Sequence, residues 1–261
     1  MVSTSTRYQI VTSNLARTKA LIENDATVKR ETEYYNKTIK TIKTIDEFIK
    51  NDRVFKYAMK AYGLEDMAYG KALFKKLLQE GVTSPTSMAN KMSNPLYKEF
   101  AKAFDFAGKG AEATSAASAT TETVEKYVQQ TLEQKEGAND EGVRLALYFK
   151  RKASSIKSSM SILADKAILQ FVQTTFNIPK ESSRADIDIQ VRNLEKVLNV
   201  KDFQDPKKVD KLIQRFNVMW EMNNPSASSV APVLSLFNQS YDQGMSVDLM
   251  MSIAKLRLGG S

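Results

Sequence analysis

The sequence predicts an all-α protein: two helical lobes, related by a weak internal repeat, with amphipathic helices at both termini. Three observations predict it. Apolar residues recur at i, i+3 and i+4, while strand-like alternation is scarce. The 10 glycines and 6 prolines are few and fall where helices should stop. The apolar fraction, 42% of 261 residues, is enough for a real core.

Residues 1–30 read as a helical arm, with Val11, Leu15, Thr18 and Ile22 as a narrow seam on one face. Residues 31–106 form lobe one. Its TIKTIKTI run puts Ile39, Ile42 and Ile45 on one side, and Lys40 and Lys43 on another. Thr44 and Glu47 are spaced as a capping box. Asn51 or Asp52 caps the next helix, which Gly63 should end. Residues 65–80 should form an amphipathic helix closed by Gly81. Ser84-Pro85 and Asn94-Pro95 each place proline where a helix begins, the second in register with Leu96, Phe100 and Phe104.

Residues 107–123, rich in Ala, Ser, Thr and Gly, hold no large apolar residue and read as a connector. Lobe two spans 124–223. It opens with Val124, Tyr127, Val128 and Leu132, closes near Gly137, and continues as helices over 141–157, 160–176, 183–199 and 205–223. Residues 224–244 read as a loop. Residues 245–261 read as a C-terminal amphipathic helix with Leu249, Ile253 and Leu256 widening its apolar stripe.

Composition removes whole classes of chemistry. No cysteine means no disulfide, thiolate metal site or thiol nucleophile. No histidine means no imidazole base or ligand. The carboxylates are scattered, with no calcium-loop spacing, and Gly108-Lys109-Gly110 is no phosphate loop. We expect no enzymatic activity, no cofactor and no metal. No apolar run is long enough to span a bilayer, and the first residues lack a secretory h-region. Synthesis in the cytoplasm without a cleaved signal is expected.

The net charge is +8, and twelve basic against seven acidic residues fall in the first sixty. The stretch NDRVFKYAMKAYGLEDM (51–67) mixes rings with cations and poses a choice between a nucleic-acid surface and an ordinary amphipathic helix. Shifting the chain by 114 residues decides for the helix. Tyr34-Tyr35 falls on Tyr148-Phe149, and Val54, Phe55 and Tyr57 fall on Ile168, Leu169 and Phe171. Arg53, Lys56 and Lys60 meet Ala167, Gln170 and Thr174, so the cations are outside the shared pattern. Lys150, Arg151 and Lys152, beside Tyr148 and Phe149, remain the candidate site for an anionic partner, with a solvated face as the alternative.

ETEYYNKTIKTIKTIDEFIKNDRVFKYAMKAYGLEDM (31–67), ANKMS (89–93), FAKAFDF (100–106), EGVRLALYFKRKA (141–153) and ILADKAILQFVQTTFNIP (162–179) together carry a resemblance. In that order they resemble domain-of-unknown-function family twelve-seventeen, alphaproteobacterial proteins often encoded among flagellar genes. The resemblance covers about residues 5–223. It implies an all-helical fold and a flagellar association, and brings no catalytic residues. Absence of cysteine and of a cleavable signal is common to proteins exported through the flagellar type III apparatus. The sequence lacks the Asn-rich N-terminal signature of rod and hook proteins; TSNLA (12–16) is a faint echo of it.

The expected function is therefore a non-enzymatic, flagellum-associated structural or assembly protein. Its terminal helices, through Val11, Leu15, Ile22, Leu249, Ile253 and Leu256, would dock flagellar proteins or further copies of itself. The alternatives are a cytoplasmic regulator or chaperone of flagellar assembly, or a basic helical nucleic-acid-binding protein.

Overall fold

Side-chain oxygens start the helices. In the computed structural model, which describes residues 2–224, Asp25 accepts from the backbone N–H groups of Thr27 and Val28 at 3.0 and 3.2 Å. Thr44 and Glu47 form the expected capping box. Asn51 accepts from Val54 N at 3.1 Å, and Asn94 from Leu96 N at 2.9 Å beside Pro95. Each bond satisfies an amide that has no partner in a first helical turn.

The described residues form fifteen α-helices and six short 3-10 turns, with no strand among them. The first half contains α1 (Thr4–Ser13), α2 (Leu15–Glu23), α3 (Ala26–Ile39), α4 (Ile45–Lys50), α5 (Asp52–Ala61), α6 (Lys71–Glu80), α7 (Met88–Lys91), α8 (Pro95–Ala103) and α9 (Phe106–Lys109). The second contains α10 (Thr121–Asn139), α11 (Glu141–Lys152), α12 (Ser159–Leu163), α13 (Lys166–Phe176), α14 (Ile187–Val197) and α15 (Pro206–Asn223). The all-α expectation holds. The chain divides into two units, Val2–Trp220 and Met1 with Glu221–Ser261. All fifteen helices belong to the first, apart from the last residues of α15. The expected loop at 224–244 and C-terminal helix at 245–261, with Leu249, Ile253 and Leu256, lie outside the described residues apart from Asn224.

The echo at 114 residues is a repeat of structure. Caps recur at Thr44 and Ser158, and at Asn51 and Asp165. Helices α3, α4 and α5 match α11, α12 and α13. After α5, Gly63 turns with φ +70°; after α13, Asn177 turns with φ +53°. Leu64 N then bonds Met59 O, and Ile178 N bonds Gln173 O, both at 2.8 Å. The rings behave alike. Tyr35 stacks on Tyr57 at 4.3 Å, and Phe149 on Phe171 at 3.8 Å.

Two cores result. The first gathers Phe48, Phe55, Phe74, Phe100 and Phe104, all fully buried. The second gathers Phe149, Phe171, Phe203 and Phe216, with Phe216 stacked on Phe171 at 4.4 Å. Helix α11 serves both. Val143 and Leu147 face the first core; Leu145, Ala146, Tyr148 and Phe149 face the second.

The structure corrects several sequence expectations. Residues 107–123 are no free connector: Ala113, Thr114, Ala119 and Thr123 are fully buried. Small side chains let this backbone lie flush on the first core, and its hydroxyls find carbonyls there. Thr114 Oγ1 donates to Ile42 O at 2.7 Å, and Ser118 Oγ to Ala103 O at 2.8 Å. The N-terminal helix breaks into α1 and α2 at Asn14, whose side chain caps α2. Ser84-Pro85 opens a turn, and α7 begins later. Helix α10 ends at Asn139, as expected, and Gly137 is in its last turn. A Cβ there would come within 2.7 Å of Arg144 Cδ, so glycine permits the close approach of α11.

Candidate functional site

The stretch 51–67 is settled by burial. Val54, Phe55, Tyr57, Ala58 and Met59 line the first core. Arg53 lies outside it, paired with Glu31 at 2.7 Å and 3.9 Å above the Tyr34 ring. Lys56 is exposed. The rings stack on one another and are not offered to bases.

The candidate anionic-partner patch is held by the chain's own carboxylates. Lys150 pairs with Asp210. Arg151 donates two bonds of 2.8 Å to Glu133, whose side chain is 1% exposed, and Gln129 Nε2 adds a third at 2.8 Å. Lys152 Nζ reaches both oxygens of Glu99 at 2.7 and 2.8 Å. Burial opposes the charge of Arg151, but Glu133 outweighs it and the guanidinium is held more strongly protonated. For Lys152 burial wins, and its pKa is lowered despite Glu99. Burial first, and then Asp165, which accepts the Tyr148 hydroxyl at 2.6 Å, raise the Tyr148 pKa well above the usual range. These cations tie α11 to α10, α8 and α15. Three cations already neutralised by internal acids make a poor phosphate platform.

The N-terminal docking candidates are also inside. Val11 and Ile22 belong to the first core, and Leu15 packs half-buried against it. They therefore dock the arm on its own chain. Ion pairs reinforce this: Arg7 makes two bonds to Glu136 at 2.7 and 2.9 Å, and Lys135 meets Asp25 at 2.7 Å. A cleft of about 630 Å³ opens beside the arm, lined among others by Tyr8, Leu15, Lys19, Leu147 and Lys150. Burial, with help from Asp210, pushes the Tyr8 hydroxyl up to about 12.

What the arm leaves outside is its other face. Ile10 and Leu21 are exposed, Leu21 at 66%. A second exposed apolar set lies on α14, namely Ile187, Ile189 and Val197. Sequence periodicity marked the inward seam of the arm and missed these residues. The signal available was that Ile10 and Leu21 each precede a seam residue by one position and so sit about 100° away from it.

Among the described residues no group of acids, histidines or cysteines is arranged to hold a metal ion. No helix among them is long and apolar enough to cross a membrane.

A comparison with curated proteins finds no match. The X-ray crystal structure of an Agrobacterium tumefaciens protein, solved by structural genomics, is similar. It is 46% identical, with a TM-score of 0.79, over 86% of this chain and 98% of that one. The family described as "Protein of unknown function (DUF1217)" matches residues 61–209, more than half of the sequence. On this match the chain belongs to the DUF1217 family.

Proposed function

We propose that the protein is a flagellum-associated structural or assembly factor that acts through helix-mediated protein contacts rather than by catalysis. The observation that carries this reading is the exposure of apolar side chains on two parts of the surface, Ile10 and Leu21 on the N-terminal arm and Ile187, Ile189 and Val197 on α14. Exposed apolar patches rimmed by polar residues mark contact sites. The flagellar setting is taken from the family resemblance. The contact faces move from Val11, Leu15 and Ile22 to their outward neighbours Ile10 and Leu21.

Deleting the gene tests the reading. Impaired swimming or incomplete flagella is the expected outcome, together with recovery of a tagged copy in sheared flagella or basal bodies. A deletion strain that swims and builds normal flagella overturns it. Recovery in cytosol alone points instead to a cytoplasmic regulator or chaperone.

A further inference from the structure

Helices α6 and α14 hold matching places, each following one of the two positive-φ turns. Their surroundings differ. Helix α6 is enclosed by α4, α7, α8 and α9, and its Phe74, Leu77 and Leu78 are fully buried. Helix α14 packs mainly on α12 and buries Leu194 alone. At the end of α5, Tyr62 is wedged against Phe100 and Phe104, with ring centroids 5.7 and 5.9 Å away. Its counterpart Phe176 instead lines an open groove of about 350 Å³, with Val197, Phe203 and Leu212 among the other walls and Glu195 and Lys196 on the rim.

The first half shows what suits such a place. There α9 covers α6 with one large apolar residue, Phe106, and a small neighbour, Ala107, set close against Gly81. The outer face of α2 has the same make-up. Leu21 stands out from exposed Ala16 and Ala20. Arg17 lies one helical turn before Leu21 on the same side of α2, and it forms no ion pair among the described residues. Glu195 and Lys196 on the groove form none either.

We propose that Leu21 of one copy of this chain enters the Phe176–Val197 groove of the next copy, with Arg17 facing Glu195. The two surfaces are different, so the contact is heterologous and repeats into an open chain or a ring. The proposal goes beyond the proposed function and stands on these two faces alone. Its failure in solution would leave the motility test untouched.

Sedimentation velocity of the full chain tests it. Sedimenting mass should rise with concentration. Leu21→Lys and Glu195→Arg should each weaken association on the order of tenfold or more, since each removes a buried apolar group or a charge pair. Combining Arg17→Glu with Glu195→Arg should restore much of it, which a folding defect would not. Leu21→Lys and Val197→Asp chains, mixed, should form dimers and nothing larger, because each keeps one intact face. A chain monomeric at every concentration overturns the proposal. So does association that Leu21→Lys leaves unchanged, which would mean other surfaces carry it.

Discussion

Gly63 and Asn177 hold the same place in the two halves, and both adopt a positive φ, 70° and 53°. A Cβ at Gly63 would meet nothing closer than 3.7 Å, so space is not what selects glycine there. The left-handed backbone is. Gly63→Ala is expected to lower stability by about 1–2 kcal/mol. Asn177→Gly should be neutral or slightly stabilising, and Asn177→Ala should cost about 1 kcal/mol. Urea unfolding followed by circular dichroism measures all three. Equal stability of Gly63→Ala and the parent would contradict the left-handed turn.

Glu133 and Arg151 form a pair in which the carboxylate is almost wholly enclosed. Removing one partner strands the other. Glu133→Gln or Arg151→Met should each cost about 3 kcal/mol, because an uncompensated charge remains inside. The double variant should cost clearly less than the sum of the two. Strictly additive losses would show that the pair is not coupled.

The tyrosines predict the alkaline limit of the fold. Burial pushes Tyr62 up to about 12, and Tyr8 likewise. Tyr35, Tyr57 and Tyr148 are also raised, each by burial first. In the unfolded chain a tyrosine ionises near about 10. Below that value both states keep the proton, and this stability is fully present. Above it the unfolded state loses protons first, so stability falls as pH rises toward 12. The urea midpoint should therefore fall steeply above pH of about 10. Phenolate absorbance should appear together with loss of helical signal. Tyrosines that ionise near about 10 in a still-helical chain would refute the shifts.

Much of the architecture was readable in advance. The capping box at Thr44, the cap at Asn51 and the stop at Gly63 are local events, governed by a few adjacent residues, and all appear as expected. The 114-residue echo was legible because core positions accept ring for ring, as in Tyr57 and Phe171. The small-residue stretch 107–123 was misread because alanine and threonine give no periodic signal whether they are buried or exposed. Gly137 marked the end of α10 to within two residues, but the close approach that requires glycine there, that of Arg144, lies on the next helix and is not legible in the local sequence. The candidate site residues fared differently. The basic run at Lys150–Lys152 looked free until Asp210, Glu133 and Glu99 were brought to it from three other helices.

The sequence by itself determined the helical class and the helix starts at Thr44, Asn51 and Asn94, and carried the weak repeat, because caps, periodicity and matched apolar positions act over short spans. Only the tertiary structure decided which apolar residues face outward. Val11 and Ile22 differ from Ile10 and Leu21 by a single step along the helix. Which of them meets water depends on where α10 and the first core lie. The same holds for α6 and α14, equivalent in the repeat, of which one is enclosed and the other open.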